Sequence, residues 1–160
     1  MRDGIKRIYY FKNSDTMSRY LRLLIAGSRG FEGRVRIKQT GELEDSFELM
    51  EHFVDKYYKE RDILIVHGGA RGADTLADLY AEKRGCEVKV FPANWEVEGK
   101  AAGLHRNTLM ADFCDECVCF WDGRSTGTED TIDKVSKLGK LLRVYRGWEP
   151  FDHRPVVKKR

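Results

Sequence analysis

The chain has 160 residues, of which 41% are hydrophobic, and a formal net charge of +3 at pH 7. That length suits one domain of ordinary size with a core of its own, and a charge this small permits an anionic ligand without requiring nucleic acid. The isoelectric point of about 8.6 lies below the value of about 9 that marks DNA-binding domains, and no window approaches the ~20 apolar residues of a membrane span, so neither nucleic acid nor a membrane is the expected partner.

Residues 1–20 carry Arg2, Lys6, Arg7, Lys12 and Arg19 around the stretch IYYF. The apolar run Ile8 to Phe11 is too brief for a secretory signal, which gives the expectation of a cytoplasmic protein. The segment reads as an N-terminal extension, either an added edge strand or the arm of a homo-oligomer. Leu21 to Ala26 (LRLLIA) is the first predicted strand, and it ends in Gly27-Ser28-Arg29-Gly30. The next stretch, FEGRVRIKQTGE, is polar and basic with no clear period; its segment Arg34 to Lys38 is a candidate lid. Leu43, Phe47, Met50, Val54 and Tyr57 recur at steps of four and three, the spacing of one helix face.

Asp62 to Val66 is the second strand. It runs into Gly68-Gly69-Ala70-Arg71-Gly72-Ala73-Asp74, and a helix follows from Ala73 to Arg84 with Gly85 as its stop. Glu87 to Phe91 is the third strand, ending at Pro92. Ala101 to Phe113 is a helix, and Glu116 to Trp121 the fourth strand. Three of the four cysteines (Cys114, Cys117, Cys119) crowd into CDECVC, with Cys86 apart. Zinc sites usually draw four ligands from two separated pairs, and here the second pair is missing. Buried reduced thiols are the expectation, with no metal. Thr128 to Leu138 is a helix stopped by Gly139, Leu141 to Tyr145 is the fifth strand, and residues 148–160 form a basic tail.

Strands alternating with helices imply βαβ units and a parallel sheet. Unbroken apolar strands imply that helices cover both faces. The expected fold is therefore α/β: a Rossmann-like, doubly wound, mainly parallel sheet of about five core strands, spanning residues 21–147. In such a sheet the loops leaving the C-terminal strand ends gather on one rim, where ligands bind. Three of those loops stand out: Gly27 to Gly30, Gly68 to Asp74, and Asp122-Gly123-Arg124-Ser125-Thr126-Gly127-Thr128. Each combines glycine with an arginine. Glycine lets the backbone approach a ligand, arginine suits phosphate, and a helix N-terminus favours an anion. Asp74 near a helix start is a candidate cap or a partner for ribose hydroxyls. His105, Arg106 and Asn107 sit on the helix that follows the third strand; Arg106 and Asn107 are candidates to lean over the rim, whereas His105 reads as structural. Trp121, beside the third loop, is a candidate to stack on one base. No GxxxxGK[ST] or GxGxxG motif is present, which leaves a P-loop ATPase excluded and an ordinary dinucleotide site weakly supported.

The strings AGSRGF, HGGARGAD, HRNTLMAD and FWDGRSTGT resemble, in order and spacing, the YspA-type branch of the SLOG superfamily, which groups the Smf/DprA and LOG proteins. The resemblance spans roughly residues 21 to 145. It implies a Rossmann-like domain binding a nucleotide or nucleotide-derived molecule without a required cofactor. Its Gly-rich loops correspond to Gly27, Ser28, Arg29, Gly68, Gly69, Gly72, Asp74, Gly123, Ser125, Gly127 and Thr128; Arg71 and Thr126 join them on chemistry alone, and Arg106 and Asn107 match its ligand-facing helix. LOG enzymes are nucleoside 5′-monophosphate phosphoribohydrolases with a PGGxGTxxE motif. The position of that glutamate is Thr131 here.

The expected role is nucleotide binding, as a sensor or a sequestering module. A LOG-like hydrolase is the alternative, with Arg106 and either Glu129 or Asp122 as its weak catalytic candidates. DprA-like single-stranded DNA binding is a second alternative; it would need a basic groove with stacking aromatics.

Overall fold

The computed structural model describes residues 20–151. The extension expected at 1–20 lies outside that range apart from Tyr20, as do residues 152–160 of the tail. Five apolar runs form five parallel strands: β1 Leu21–Gly27, β4 Ile63–His67, β5 Glu87–Val90, β6 Glu116–Phe120 and β7 Leu141–Tyr145. Their order is β5-β4-β1-β6-β7, with Leu23 beside Ile65 and Ile25 beside Val118 in the register. The chain winds outward from β1 through β4 to β5, then returns to the other side of β1 as β6. The strand order therefore reverses between β1 and β6, the place where a doubly wound sheet opens a crevice.

Side chains of β1 alternate between two cores, as a strand covered on both faces requires. Leu21, Leu23 and Ile25 enter one layer with Met50, Val54, Ala77 and Tyr80, which belong to helices α1 Ser46–Tyr58 and α2 Ala73–Arg84. Leu24 and Ala26 enter the other with Met110, Ala111 and Val135, from α4 Ala102–Phe113 and α5 Thr126–Lys137. This is the expected doubly wound α/β arrangement. All four cysteines are buried; Cys117 and Cys119 bring their sulfurs to 3.6 Å on β6. Burial pushes the Cys114 thiol up to about 11, so it is protonated at neutral pH.

Three departures from the sequence reading bear on the site. First, the stretch read as patternless contains β2 Arg34–Ile37, which pairs with β3 Leu43–Asp45, at the start of the expected helix face, and with β8 Trp148–Pro150 in an antiparallel sheet ordered β3-β2-β8. Arg34 to Lys38 is thus not a lid: Val35 pairs with Pro150 and Arg36 with Glu149, and the Lys38 amide donates to Gly147 O. The first residues of the expected tail belong to this sheet. Trp148 is fully buried, its ring 4.8 Å from Phe31, which stacks on Phe120 at 4.7 Å. Second, α1 starts at Ser46 rather than Leu43. Asp45 caps it, accepting from Glu48 N at 3.0 Å, and the buried face runs Ser46, Met50, Val54, Tyr58. Third, α4 is preceded by a short helix α3 Trp95–Glu98 and a 3-10 turn Gly99–Ala101, which no periodicity announces.

Candidate functional site

Above the β1/β6 crevice lies an open cleft of about 570 Å³, within the 300–1,000 Å³ usual for small-molecule sites. The first and third loops meet there through Ser28. The Ser28 hydroxyl accepts from Asp122 N at 3.0 Å and lies 2.7 Å from the Ser125 hydroxyl. Ser125 in turn donates to Thr128 Oγ1 at 3.2 Å. The three hydroxyls thus form one connected chain, and Ser28 and Ser125 also bond the Asp122 carboxylate. Thr128, at the end of this chain, lines the cleft.

Helix α5 begins at Thr126, two residues before the expected start, which puts Thr126, Gly127 and Thr128 in its first turn. Ser125 is the N-cap in extended backbone but makes no side-chain cap bond, because its hydroxyl is committed elsewhere. The first N–H groups of a helix have no intrahelical acceptor, and these three residues line the cleft. Asp122 holds the approach: its Oδ1 accepts from Arg124 N and Ser125 N, both at 2.8 Å. Partial burial pushes this carboxyl up, but the bonds from Ser125 and Arg124 outweigh that and keep it below the ordinary carboxylate range. It is ionised at neutral pH.

The second loop is arranged differently. Asp74 is buried and its Oδ2 accepts from Gly68 N and Ala70 N, both at 3.1 Å. Gly69 N donates to His67 Nδ1 at 3.0 Å. The proton of His67 is therefore on Nε2, which donates to Asp78 at 3.1 Å. The amides expected to cradle a phosphate close on the protein's own side chains. Burial pushes the Asp74 carboxyl above its ordinary value, against the pull of Ala70 N, His67, Arg106 and Gly68 N.

The glycines of this loop serve packing. A Cβ on Gly68 would overlap the Arg106 guanidinium. Gly72 has φ of 82°, which L side chains rarely adopt, and a Cβ there would stand 2.5 Å from Arg29 O and 2.6 Å from Ser28 O. Among the sequence candidates, Gly68, Gly69, Arg71, Gly72 and Gly123 are not in the cleft wall, whereas Gly27, Ser28, Arg29, Asp74, Arg106, Asn107, Asp122, Ser125, Thr126, Gly127 and Thr128 are. The Arg71 side chain is 71% exposed, with Glu32 4.0 Å away. The cations of the cleft are Arg29, Lys100 and Arg106.

Asn107, buried on α4, orients the cationic side. Its Oδ1 accepts from Arg106 Nε at 3.0 Å, and its amide donates to Gly127 O at 3.2 Å and Asp130 Oδ2 at 3.1 Å. Arg106 also donates to Gly68 O at 2.6 Å. Burial lowers the affinity of Arg106 for its proton and the nearby Arg29 adds to that, while Asp74 opposes both. Glu129 is outside the cleft. Thr131 lines it and spends its hydroxyl on Gly127 O at 3.3 Å. His105 pairs with Glu98 at 2.5 Å. Among the described residues, no group of three or more His, Cys, Asp or Glu side chains is placed to hold a metal, and no helix is long and apolar enough to cross a membrane.

A family model described as "YspA, cpYpsA-related SLOG family" matches residues 21–97. The Gene 61 protein of Mycobacterium phage D29 is 34% identical over 125 residues, covering 74% of this chain and 90% of the phage protein. The chain belongs to the YspA, cpYpsA-related SLOG family. The family match ends before α4, the β6–α5 loop and α5, which carry more than half of the cleft wall. A solved structure, DNA processing protein A (DprA) from Streptococcus pneumoniae, superposes with a TM-score of 0.59 at 17% identity, covering 82% of this chain. The chain spans about half (52%) of that structure's length. At that identity the likeness to DprA is one of fold.

Trp95 and Lys100 are among the cleft residues that escaped the sequence reading. Both line the wall, carried by the α3 segment. The string WEVEGKAAG offers a signal, a large aromatic among small residues. Trp121 is instead tied down: its Nε1 donates to Ser125 O at 3.0 Å, and Arg146 lies over its ring at 4.8 Å.

Proposed function

We propose that this SLOG protein binds a nucleotide or nucleotide-derived small molecule in the β1/β6 cleft, as a sensor or sequestering module. The observation that carries the reading is the start of α5. The helix has no side-chain cap bond at its start, and its first residues Thr126 to Thr128 line a cleft that Arg29, Lys100 and Arg106 also border. Backbone N–H groups at the positive end of a helix dipole, with arginine nearby, form an anion site. Ser28 and Asn107 hold that site without occupying its donors. The second loop contributes indirectly, since Gly68 and Asp74 position Arg106.

The test is a thermal-shift series with nucleoside mono- and diphosphates. A ligand at 100 times its dissociation constant adds about 2.7 kcal/mol. Arg29→Ala, at an exposed side chain, should leave the unliganded melting temperature in place and reduce the shift. Absence of a shift with every nucleotide and with inorganic pyrophosphate would sink the reading.

A hydrolase is the second reading, supported by the presence of both Arg106 and an ionised Asp122 in the cleft wall. Asp122 is in the right charge state to stabilise an oxocarbenium-like centre but the wrong one to protonate a leaving base. Free base released from AMP, and lost in Arg106→Ala, would favour it. The third reading, single-stranded DNA, draws on DprA only through fold, and a salt-sensitive gel shift tests it.

A further inference from the structure

We infer that Trp95 is the platform on which the ligand's aromatic base stacks, so that the cleft selects nucleotides over base-free phosphates; this rests on the anion-binding reading above. Trp95 is 52% exposed, an unusual state for the largest apolar side chain. The other two tryptophans are accounted for, Trp148 in the core and Trp121 on Ser125 and Arg146. Trp95 instead lines the cleft.

The indole has a seat. A Cβ on Gly103 would stand 3.2 Å from its Cη2 and 3.9 Å from Cζ2 and Cζ3, so the six-membered ring packs on the bare backbone of α4. The segment that carries it is anchored at both ends. Asn94 caps α3 through Val97 N at 3.4 Å, and Glu98 pairs with His105 on α4 at 2.5 Å. The ring is thus preorganised, which lowers the ordering cost of stacking.

The cleft wall divides by chemistry. Trp95, Gly103, Leu104 and Met110 make an apolar part, whereas Ser28, Ser125, Thr126 and Thr128 make the polar part at the start of α5. A molecule with an anionic end and a flat, weakly polar ring matches both parts. A sugar phosphate or pyrophosphate matches only the second, leaving the indole and Leu104 in water.

The test titrates the full-length protein with 5′-mono- and diphosphates of adenosine, guanosine, cytidine and uridine, and with ribose 5-phosphate and inorganic pyrophosphate. Affinity is read by calorimetry and the indole by fluorescence. The expected result is that at least one nucleotide binds more tightly than the base-free probes and quenches the indole emission. Trp95→Ala should weaken that nucleotide about tenfold, within the range for loss of one base–aromatic stack, and leave ribose 5-phosphate and pyrophosphate unchanged. Trp95→Phe should retain the affinity and lose the quench. Gly103→Ala should shift the indole by a few tenths of an ångström and weaken the nucleotide by less than Trp95→Ala, in a helix that is no less stable. If Trp95→Ala leaves nucleotide affinity unchanged, or if nucleotides and base-free probes bind the natural protein equally, stacking is overturned while anion binding stands. If none of the probes binds, both are overturned.

Discussion

Arg106 reaches from α4 to the carbonyl of Gly68, 2.6 Å away, across a position where any side chain would overlap its guanidinium. The glycine is therefore part of how the arginine is held. Gly68→Ala should displace Arg106, whose flexible end can move, and cost roughly the 1–3 kcal/mol of one charged hydrogen bond. Nucleotide affinity should fall as far as in Arg106→Ala. Gly72→Ala should behave differently. Its φ of 82° and the fixed backbone of Ser28 and Arg29 beside it leave nothing to yield, and each strained backbone position costs about 1–3 kcal/mol before the collision is counted. Thermal melts and calorimetry on the two variants separate the effects: one loses mostly binding, the other mostly stability.

The same loop makes a pH prediction. Burial holds the Asp74 carboxyl above its ordinary value, so the folded state resists its ionisation more than the unfolded chain does. Stability from this group is full below the unfolded carboxylate pKa and is lost as pH rises through the higher folded value. Both of its amide bonds go to Oδ2, and an asparagine oxygen placed there keeps both. The melting temperature of Asp74→Asn, measured relative to the natural protein from pH 4 to 8, should therefore rise with pH. A difference that falls with pH would show that Arg106 and the Gly68 and Ala70 amides outweigh burial.

Strands buried on both faces leave unbroken apolar runs, and Ile63–His67, buried at every position, is legible for that reason. The small sheet is not. Val35 is the sole fully buried residue of β2, and it pairs with Pro150 at the far end of the chain, a contact no local period can encode. The site divides the same way. Residue type reveals a rim rich in glycine and arginine, but not where each side chain points. Arg71 and Arg106 look alike as letters; one faces solvent beside Glu32, and the other is half buried between Gly68 and Asn107. Asp74 reads as a helix cap, yet its carboxylate turns back onto amides earlier in its own loop. Trp95 is hidden because the helix that presents it has four residues, too few for a periodic signal.

Stability and binding separate most cleanly at Lys140, away from the cleft wall. Its ammonium donates to Ala111 O, Asp112 O and Cys114 O at 2.7, 2.9 and 2.6 Å, closing the C-terminal end of α4, where a cation also meets the negative end of the helix dipole. Lys140→Met keeps most of the apolar stem and removes all three donors. The expected cost is about 1–3 kcal/mol, or a few degrees of melting temperature for a chain of this size. The nucleotide-induced shift should remain. A variant that melts normally but fails to bind would mean that α4 transmits strain from its far end to Arg106.

Asp122 decides between the two leading readings of the cleft. Its Oδ1 accepts both the Arg124 and the Ser125 amide, so asparagine, with its oxygen in the same place, preserves the loop. What Asp122→Asn removes is one negative charge from a wall that also holds Arg29, Lys100 and Arg106. For a protein that only binds its ligand, that charge repels phosphate. The substitution should then tighten nucleotide binding several-fold, on the order of 1 kcal/mol for one charge a few ångströms away in a wet cleft. The gain should shrink as salt is raised from 50 to 500 mM. For a hydrolase the same carboxylate would stabilise the developing positive charge, and its loss should lower release of free base from AMP by at least a hundredfold. Calorimetry at two salt concentrations and chromatography of the AMP incubation report on the same variant. Tighter binding with no base released by either protein leaves nucleotide capture as the activity of the cleft; base released by the natural protein and lost in Asp122→Asn makes it a phosphoribohydrolase.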